Sequence, residues 1–512
     1  MNQLAAALRY WLSDIGHFSR LVLNRPLRQY QLEPARAILD SVLHGRGETF
    51  AVMMSRQSGK NELSGQLEAY LVNLYQRRGG QIVKASPTFK PQTINSILRL
   101  TDRLNNPWNA NQWRRREGYM VELHNARALF FSAEPNANVV GATASLLLEG
   151  DEAQDIDPFK WSKDFKPMGA STNVTTVLWG TAWTSNTLLA QTIAQLEART
   201  AKDGIRRVFL ADADRVAREV PNYGLYVASE VARLGRDHPL IKTQYFLKTI
   251  DAEGKYLNPD MLSLLHGDHA RQTGPQPGRR YAFLLDVAGE DEQAGTAIER
   301  ALLENPKRDA TALTIVEYEL RAGALPVYRV VNRYLWIGTP HAALHDRLMA
   351  LYQQWRPSHF IVDATGVGAG LASFLRRSID RSETITYQAG QIVIPVEFSA
   401  AVKSDLGWGL LGIIGTGRLR EYVHDQAADT RQFWYEAGEC EKEIRPGPGK
   451  LLKWGVWESP AYDGLVARGH DDLLVTLSLL TVLEKHLPTW TNTESFSVTT
   501  PDPMEDIDNA AW

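Results

Sequence analysis

Long hydrophobic runs are scarce in this sequence, and cysteine occurs only once, as Cys440. A single cysteine excludes an intrachain disulfide and a zinc site built from several cysteines, and it suits a reducing cytosol. The longest apolar stretch, 473–483, is too short to span a bilayer. Residues 1–20 alternate apolar with polar side chains and lack the core of a signal peptide. These absences predict a soluble intracellular protein without a membrane-spanning segment.

An excess of charge of one sign is also lacking. The 56 lysines and arginines nearly balance the 59 aspartates and glutamates, for a net charge of −3. Any contact with nucleic acid would therefore depend on local basic patches rather than on the overall charge. What is present is a hydrophobic content of 44% over 512 residues, enough for cores in two or three domains.

The most informative stretch is 50–64, FAVMMSRQSGKNELS. A short apolar run is followed by a turn that contains Ser58, Gly59 and Lys60, and then by a segment typical of a helix. This is the arrangement of a P-loop, in which backbone N–H groups surround the phosphates of a nucleotide and the lysine reaches the outer ones. From this stretch alone, an ordinary strand-to-helix turn with a chance Gly-Lys pair is an equal alternative.

Two positions depart from the usual P-loop pattern. Met54 replaces a glycine, and Asn61 replaces a serine or threonine, although the amide oxygen of Asn61 is able to face Mg²⁺ or its water shell. Upstream, Gln31 lies in the stretch 27–39, LRQYQLEPARAIL, and is a candidate for bonding the edge of an adenine ring. A capped surface helix with an exposed Gln31 is the alternative for that stretch.

Two carboxylates follow a buried strand predicted within 145–156, SLLLEGDEAQDI. Downstream of a P-loop, Asp151 is suited to hold the water shell of Mg²⁺, and Glu152 to polarise the water that attacks the γ-phosphate. The alternative is a helix start, which both residues also suit, but the P-loop upstream favours the catalytic interpretation. A further strand in 175–189 ends in a hydroxyl-rich turn, whose Thr181 is predicted to lie beside the γ-phosphate.

The order of predicted elements divides the chain into domains. Strands and helices alternate up to residue 200, which predicts a parallel sheet flanked by helices over 1–200. The segment 201–275 is mixed and leads into a Gly/Pro-rich linker, TGPQPGRR. A second domain is predicted over 276–487, and the polar, acidic tail 488–512 is predicted to be disordered.

Carboxylates recur at the ends of strands predicted in the second domain. Asp286 ends its first strand, Asp309 lies near the start of the second, and Asp363 ends the strand that follows a predicted helix. This order is typical of RNase H-like nucleases, in which two cations about 4 Å apart activate the water and stabilise the leaving oxygen. Strand-end aspartates also make turns and caps, which is the alternative for each residue taken alone.

Another pair of carboxylates, Asp471 and Asp472, lies at the start of the apolar segment 469–486, which is predicted to be one helix. The pair would complete the metal-binding set, or alternatively would stabilise the helix start through the helix dipole. Adjacent helical residues point about 100° apart, so the two cannot face the metals equally. The sequence leaves open which of them is the primary ligand.

Taken in order, these motifs resemble those of the large terminase subunit of tailed bacteriophages, the motor and nuclease that packages DNA into a procapsid. The resemblance covers nearly the whole chain. Its parts are a Q-like motif (LRQYQLEP), a deviant Walker A (SRQSGKNE), a Walker B (LLLEGDEAQ), a coupling motif (WGTAWTSNTLL), and nuclease carboxylates at Asp286, Asp363 and the HDD of 470–472. Members of that family often lack the first Walker A glycine and carry an arginine near the lysine, which Arg56 matches.

The resemblance implies an α/β protein with an N-terminal ASCE-type P-loop ATPase, built on a parallel sheet, and a C-terminal RNase H-like nuclease domain with a mixed sheet. It implies ATP and Mg²⁺ as cofactors, with Mn²⁺ able to substitute in the nuclease site. The implied partners are double-stranded DNA, a portal protein and a small terminase subunit, and the implied assembly is a homo-oligomeric ring. The implied location is the cytoplasm of the infected bacterial host, with transient docking on the procapsid.

The resemblance also implies roles for single residues. Lys60 would bind the β- and γ-phosphates with Arg56 beside it, and Glu152 would activate water. The other nucleotide-binding positions would be Gln31, Ser58, Gly59, Asn61, Asp151 and Thr181. The metal-binding positions of the nuclease would be Asp286, Asp363, Asp471 and Asp472. Asp309 is a further candidate for the metal site from its position alone, because a hairpin would return it close to Asp286, where it would act through water. Candidates for an arginine inserted into a neighbour's ATP site are Arg114, Arg115, Arg116 and Arg127.

Other functions stay open. A helicase-like ATPase with an inactive RNase H-like DNA-binding domain would share both folds but would not cleave a plasmid. An RNase H-like transposase or resolvase would cleave DNA without ATP hydrolysis by the N-terminal half. A purely structural role would leave both sets of carboxylates idle.

Overall fold

The computed structural model describes residues 2–139, 141–251, 253–287, 310–321, 324–337, 339–381, 390–445, 451–457 and 471–487. They form two compact units: the described residues within Met1–Lys255 and Glu441–Trp454, and those within Tyr256–Cys440 and Gly455–Trp512. The chain passes from the first unit to the second within 201–275, the segment predicted to be mixed. No helix among the described residues is long and apolar enough to cross a membrane.

Eight strands of the first unit form one sheet: β1 (Thr49–Met54), β2 (Gly80–Ser86), β3 (Trp113–Arg116), β4 (Met120–Leu123), β5 (Ala126–Ser132), β6 (Leu147–Gly150), β7 (Thr176–Gly180) and β8 (Val208–Ala211). Their order is β3-β4-β5-β2-β6-β7-β1-β8. The five pairings from β5 to β8 in that order are parallel, and β3, β4 and β5 form an antiparallel edge. The predicted parallel sheet is confirmed.

The sequence of β1, TFAVMM, explains why this sheet is covered on both faces. Every residue after the first is buried. Because side chains alternate across a strand, Phe50, Val52 and Met54 enter one hydrophobic core, and Ala51 and Met53 enter the other. Strands that are apolar on both faces are typical of a parallel sheet between two layers of helices.

The register of β7 brings three strand ends to one edge of the sheet. β7 lies between β1 and β6, with Met53 opposite Gly180 and Gly150 opposite Leu178. Because the three strands are parallel, their carboxyl ends share one edge, where ligands bind in open α/β sheets. The turn after β1, which is the predicted P-loop, therefore faces the same space as the carboxylates after β6 and the turn after β7.

The helices of the described first unit are α1 (Asn2–Trp11), α2 (Ile15–Leu21), α3 (Gln29–Leu43), α4 (Lys60–Tyr75), α5 (Ile94–Leu104), α6 (Pro158–Lys160), α7 (Leu188–Asp203), α8 (Ala213–Glu219), α9 (Pro221–Leu234) and α10 (Pro239–Gln244). Tighter or wider helical turns occupy Phe89–Thr93, Trp161–Phe165 and Lys166–Gly169. A short strand, β9 (Glu253–Lys255), follows α10.

The second unit is built on a six-stranded sheet of β10 (Arg280–Asp286), β11 (Ala310–Glu319), β12 (Val327–Ile337), β13 (His359–Asp363), β14 (Val393–Val396) and β15 (Leu419–Arg420). Their order is β14-β13-β10-β11-β12-β15. β10, β11 and β12 pair antiparallel, whereas β13 is parallel to β10 and β14 is parallel to β13. The predicted mixed sheet, with three antiparallel strands ahead of a helix and a parallel strand, is confirmed.

Helices of the second unit cover this sheet: α11 (Pro259–Leu265), α12 (His341–Trp355), α13 (Gly368–Ile379), α14 (Ala400–Gly415), α15 (Ala428–Glu439), α16 (Asp472–Ser478) and α17 (Leu480–His486). The core of this unit includes Phe283, Phe360 and Leu371, from two strands and one helix. α16 contacts β11 through a hydrogen bond of 2.6 Å between the buried hydroxyls of Thr314 and Thr476.

The prediction of one continuous helix over 469–486 is wrong for its described part. Two helices, α16 and α17, meet at Leu479. The N–H of Leu479 donates to Thr476 O, three residues back, at 3.1 Å, so a tighter turn interrupts the α-helical pattern. His470 and the tail 488–512 lie outside the described residues.

Two late strands belong to the first unit, apart from Gly455, the last residue of the second of them. β16 (Glu441–Ile444) pairs antiparallel with β9, with Glu441 opposite Lys255, and β17 (Leu452–Gly455) lies beside β16. Along the sequence, the chain therefore returns to the first unit after it has contributed most of the elements of the second.

Candidate functional site

The P-loop turn joins β1 to α4 through a backbone that requires glycine. Gly59 has a φ of 94°, in the left-handed region that glycine adopts at little cost. A Cβ on Gly59 would also lie 2.7 Å from Gln31 Nε2. Lys60 follows as the first residue of α4, so its backbone lies at the positive end of the helix dipole.

Side chains from two helices hold the carbonyl groups of this turn. Tyr223 OH donates to Arg56 O at 2.9 Å, Tyr30 OH to Ser58 O at 2.6 Å, and Gln31 Nε2 to Gly59 O at 2.9 Å. In a trans peptide the C=O and the following N–H point in opposite directions. The N–H groups that follow these carbonyls therefore point away from the three side chains, which is the arrangement that suits a phosphate.

The side chain of Gln31 is already engaged by the turn. Besides its bond to Gly59, its Oε1 accepts from Arg28 N at 2.9 Å. Gln31 is not among the residues that line the cavity described below. Its predicted contact with an adenine ring stays a prediction, and the structure gives it a second role as a support of the P-loop.

Lys60 and Glu152 form the central contact of the site. Lys60 Nζ donates to Glu152 Oε1 at 2.7 Å, and the lysine is 7% exposed. Gln154 Nε2 donates to Glu152 Oε2 at 2.8 Å, and Thr181 N donates to Gln154 Oε1 at 3.2 Å. One chain of hydrogen bonds thus joins the P-loop, the carboxylates after β6 and the turn after β7. Gln154 was not singled out from the sequence, although it lies in the quoted LLLEGDEAQ motif.

Asp151 lies deeper than Glu152. It is 4% exposed, its Oδ1 accepts from Glu152 N at 3.0 Å, and Ser96 Oγ lies 3.5 Å from its Oδ2. Asp151 does not itself line the cavity. Its predicted role in holding the water shell of Mg²⁺ stays a prediction. In that role, a water molecule would have to bridge Asp151 and an ion in the cavity.

A cavity of about 840 Å³ opens beside these residues. This volume lies within the usual range for a small-molecule site. Its polar lining includes Arg56, Gly59, Lys60, Asn61, Glu152 and Thr181. Its other lining residues include Tyr226, Leu234, Leu240, Ile241, Gln244 and Tyr245.

Three of the lining residues present buried polar atoms without a hydrogen-bond partner among the described residues. They are Asn61 Oδ1, Thr181 Oγ1 and Gln244 Nε2. Buried polar atoms are normally satisfied, so such atoms in a cavity indicate a polar ligand, an ion or water. Asn61 and Thr181 were predicted from the sequence, whereas Gln244 comes from a segment that carried no recognisable motif.

The four candidate arginines lie away from this cavity. Arg114, Arg115 and Arg116 lie on β3 at the edge of the sheet, and Arg127 on β5. Arg116 pairs with Glu122 at 2.7 Å. None of the four lines the cavity, whereas Arg99 and Arg233, which the sequence did not single out, do. That an arginine is supplied to a neighbouring copy stays a prediction.

The second group of carboxylates lies at one edge of the six-stranded sheet. Leu285 pairs with Val362 on the neighbouring parallel strand, which places Asp286 and Asp363 side by side at the next position. Burial raises the pKa of Asp286 well above its usual value, and the nearby carboxylates, foremost Asp472, raise it further. Burial also raises the pKa of Asp363. The structure therefore brings these predicted residues together.

Asp471 and Asp472 approach this group in different ways. Asp472 is the first residue of α16, and its Oδ2 accepts from Ala310 N, at the start of β11, at 3.2 Å. Asp471 precedes the helix, with its Oδ2 3.4 Å from Lys403 Nζ. Burial raises the pKa of Asp471, and the Lys403 ammonium opposes that rise. Asp309 lies outside the described residues.

The side chains of this group are of the kind that binds divalent cations, although they lie farther apart than the ligands of one ion. Carboxylate oxygens are the preferred ligands of Mg²⁺ and suit Mn²⁺. Within the part of the chain that the structure describes, no three His, Cys, Asp or Glu side chains are spaced as ligands of one ion. The neighbouring carboxylates raise the pKa of Asp286 because like charges repel, and a cation would remove that repulsion and draw them together.

Two further residues support this group and were not predicted. Lys403, on α14, places a positive charge beside Asp471. Glu436, on α15, accepts from Leu473 N at 2.9 Å and from Leu474 N at 3.0 Å, which holds the start of α16. Burial raises the pKa of Glu436 to about 8.

The two units define an α/β protein of the predicted fold class. In the first, a strand lies between the P-loop strand and the carboxylate strand, as in ASCE-type P-loop ATPases. In the second, three antiparallel strands are followed in the sheet by two parallel strands, and β10 and β13 each end in an aspartate, as in RNase H-like domains. The prediction of fold class is confirmed.

Comparison with solved structures finds large terminases of several phages. The match to the large terminase of HK97 bacteriophage covers 92% of this chain and 99% of that chain, with 14% sequence identity and a TM-score of 0.37. The match to a large terminase from a thermophilic bacteriophage, solved in complex with ADP, covers 88% of this chain and 98% of that chain, with 12% sequence identity and a TM-score of 0.44. The large terminase nuclease of thermophilic phage G20c is 16% identical over 43% of this chain and 94% of that chain, with a TM-score of 0.28. No protein-family model and no curated protein matches the chain.

Proposed function

We propose that the protein is a viral DNA-packaging motor. ATP hydrolysis in the first unit would drive double-stranded DNA into a procapsid, and a metal-dependent endonuclease in the second unit would cut concatemeric DNA. The observation that carries the proposal is the contact between Lys60 and Glu152 at the wall of a ligand-sized cavity. It unites the P-loop lysine and the carboxylate after β6, which the sequence motifs suggest for ATP hydrolysis.

In the ATPase, Lys60 and Arg56 would bind the outer phosphates, with the N–H groups of the turn beneath them. Phosphates would compete with Glu152 for the ammonium of Lys60 and so release the carboxylate. Glu152 would then orient and polarise the attacking water. Asn61 and Asp151 would face Mg²⁺, which supplies charge neutralisation at the phosphates when bound.

Movement would be coupled to hydrolysis through the turn after β7. Gln154 bonds both Glu152 and the N–H of Thr181, so a shift of the carboxylate is transmitted to that turn. A side chain on Gly180 would lie 2.3 Å from Gln154 Oε1, so the glycine leaves room for this contact. Gly180–Thr184 would therefore report the state of the γ-phosphate.

In the nuclease, Asp286, Asp363, Asp471 and Asp472 would hold Mg²⁺ or Mn²⁺, and Asp309 would contribute through water. Bound divalent cations would lower the pKa of the attacking water and stabilise the leaving oxygen of the phosphodiester. Lys403 would offset part of the negative charge, and Glu436 would keep Asp472 in place through α16.

DNA would be held mainly through its phosphates and without sequence preference, because a packaging motor must grip every sequence. A portal protein, a small terminase subunit and a ring of identical copies are the partners that such a motor requires. Its place would be the cytoplasm of the infected host, with transient docking on the procapsid.

The test is ATP hydrolysis and plasmid cleavage by the full chain. Lys60→Ala should abolish ATP hydrolysis, because it removes the charge that anchors the phosphates, and should leave Mn²⁺-dependent cleavage unchanged. EDTA should abolish cleavage. Hydrolysis by Lys60→Ala at a near wild-type rate would contradict the P-loop assignment. ATP hydrolysis without any plasmid cleavage would favour the helicase-like alternative.

A further inference from the structure

A buried polar network joins the elements that carry the candidate nucleotide site. Its members come from one helix and three strands, and none is more than 3% exposed. They are Ser64 and Glu68 of α4, Lys84 of β2, Glu149 of β6 and Trp179 of β7. None of them lines the cavity. We call this set the Ser64 network.

Ser64 is the centre of the network. The ammonium of Lys84 donates to Ser64 Oγ at 2.7 Å and to Glu68 Oε1 at 2.9 Å. Ser64 Oγ lies 2.9 Å from Glu149 Oε1, to which it donates, and Trp179 Nε1 donates to the same oxygen at 2.8 Å. One hydroxyl therefore connects the helix to the lysine of one strand and to the glutamate of another.

The network lies within a few residues of the site along each element. Ser64 comes one helical turn after Lys60, on the same helix. Glu149 comes two residues before Asp151, whose N–H donates to Ala85 O at 2.8 Å. The helix that bears the P-loop lysine and the strand that leads to the carboxylates are thus joined just behind the reacting groups.

The third strand of the site is fixed in the same way. Trp179 comes two residues before Thr181 on the strand that leads into the coupling turn. Its backbone oxygen accepts from Ala153 N at 2.8 Å. Glu152 is therefore held in a segment that is anchored on both sides by strands of the Ser64 network.

Stabilisation is a weak reason for such a network. Burying a lysine and two glutamates costs desolvation that hydrogen bonds only partly offset, and apolar residues of similar volume are often as stable. What apolar residues cannot supply is a fixed direction and distance between the elements. Since no member of the network lines the cavity, its effect on a nucleotide would be indirect.

We propose that Ser64 is a positioning residue for ATP hydrolysis, and that together with Glu149 it fixes the helix of Lys60 against the strands that lead to Glu152 and Thr181. The inference rests on the proposed ATPase. A small shift of Glu152 relative to the bound phosphates would slow the attack of water, whereas the contacts that bind ATP would remain.

The experiment compares Ser64→Ala with wild type in the full chain. We expect kcat for ATP hydrolysis to fall by about ten- to a hundredfold, because a misplacement of about 1 Å can cost about a hundredfold in rate. KM and the Kd for ATP should stay within about twofold, the signature of an interaction that acts only in the transition state.

A matched control is Ser41→Ala. Ser41 is 1% exposed, and its hydroxyl bonds to Thr175 Oγ1 at 2.8 Å, yet neither residue lines the cavity. Like Ser64→Ala, this substitution removes one buried serine hydroxyl group from the first unit. It should leave kcat per folded molecule unchanged, whatever it does to the melting temperature.

Two further substitutions keep the inference testable if Ser64→Ala does not fold. Trp179→Phe removes the indole N–H that donates to Glu149 and keeps an aromatic ring, and it should lower kcat with KM unchanged. Glu149→Gln retains an acceptor oxygen for Ser64 and Trp179. It should therefore keep kcat nearer to wild type than Glu149→Ala at equal concentrations of folded protein.

The outcomes separate this inference from the proposed function. A wild-type kcat in Ser64→Ala and in Trp179→Phe, with hydrolysis abolished in Lys60→Ala, would overturn the inference and leave the ATPase standing. A KM raised in parallel with the loss of kcat would also overturn it, since the network would then shape the binding site. Absence of ATP hydrolysis by the wild-type protein would overturn both.

Discussion

Glu152 has a positive φ angle, which few residues other than glycine adopt. Its φ of 48° lies in the left-handed region, which costs a non-glycine residue about 1–2 kcal/mol. Lys60 and Gln154 each bond one of its carboxylate oxygens and so hold the side chain. Strain that is maintained by surrounding contacts is typical of functional sites.

Glu152→Gln is expected to slow ATP hydrolysis by about 10²- to 10⁴-fold, the usual contribution of a positioned acid or base. ATP binding should be retained or tightened. Glutamine has the shape of glutamate, but it lacks the negative charge that competes with the phosphates for the ammonium of Lys60. ATPase rates and the Kd for ATP measure the two effects separately. Glu197→Gln, at an exposed position of α7, is the control. A parallel loss of binding and hydrolysis would make Glu152 a structural residue.

Asp363→Asn should abolish plasmid cleavage or raise its Mn²⁺ requirement, because it removes one anionic oxygen donor. Asp363 Oδ1 accepts from Thr365 N at 2.8 Å, and the asparagine oxygen is able to do the same, so the fold should persist. ATP hydrolysis should be unchanged, since the two sites lie in different units. The measurement is cleavage against Mn²⁺ concentration.

Two checks accompany this substitution. Melting curves should show that Asp363→Asn is folded, and Asp346→Asn, at a side chain that is 86% exposed, should cleave as wild type does. Wild-type cleavage by Asp363→Asn at limiting Mn²⁺ would remove Asp363 from the metal-binding set.

Among the elements, α16 is held at its start by a single distant side chain. The first N–H groups of a helix have no partner within it. Glu436, fully buried on α15, accepts from two of them, those of Leu473 and Leu474. The position of Asp472, at the first residue of this helix, is therefore set by α15.

Glu436→Ala should lower the melting temperature and the rate of plasmid cleavage together. It leaves two buried N–H groups without an acceptor, and each such group costs about 1–3 kcal/mol. Glu436→Gln still offers an acceptor oxygen and should retain most of both properties. Thermal unfolding and cleavage assays measure the difference. Equal losses in the two variants would show that these bonds do not hold α16.

Local patterns predicted the elements that carry the site, because an apolar run followed by an acid or by Gly-Lys is visible in a few residues. β6, β13 and α4 all begin or end where that pattern indicated. The break at Leu479 was not predictable, since the residues around it are as apolar as a continuous helix would be. Gln154 was visible in its motif, but its bond to Thr181 needs the pairing of distant strands.

The residues that support the two sites could not be predicted, because their partners are far along the chain. Glu436 lies 37 residues before Leu473, and Lys403 lies 68 residues before Asp471. Ser64 lies 85 residues before Glu149. Burial raises the pKa of Glu149 to about 8, with Glu68 contributing, and nothing in the local sequence distinguishes it from an exposed glutamate.

For the whole molecule, the sequence predicted two halves with different folds, but it did not predict that the chain returns to the first unit near its end. The return of 441–454 to the first unit depends on β16 and β17, which have four residues each. Strands of that length show no periodicity from which to predict them. The division into two α/β units was predictable because each half has its own order of strands, helices and carboxylates.

The two units have separate hydrophobic cores, so we expect ligands to stabilise them separately. In calorimetry of the full chain, ADP at a hundred times its Kd should stabilise the first unit by about 2.7 kcal/mol, and Mn²⁺ should stabilise the second. Lys60→Ala should remove the effect of ADP and leave that of Mn²⁺, and Asp363→Asn should do the reverse. Even if the transitions overlap, the two variants distinguish the two ligands. An ADP effect that persists in Lys60→Ala would place the nucleotide elsewhere, and an Mn²⁺ effect that persists in Asp363→Asn would do the same for the metal.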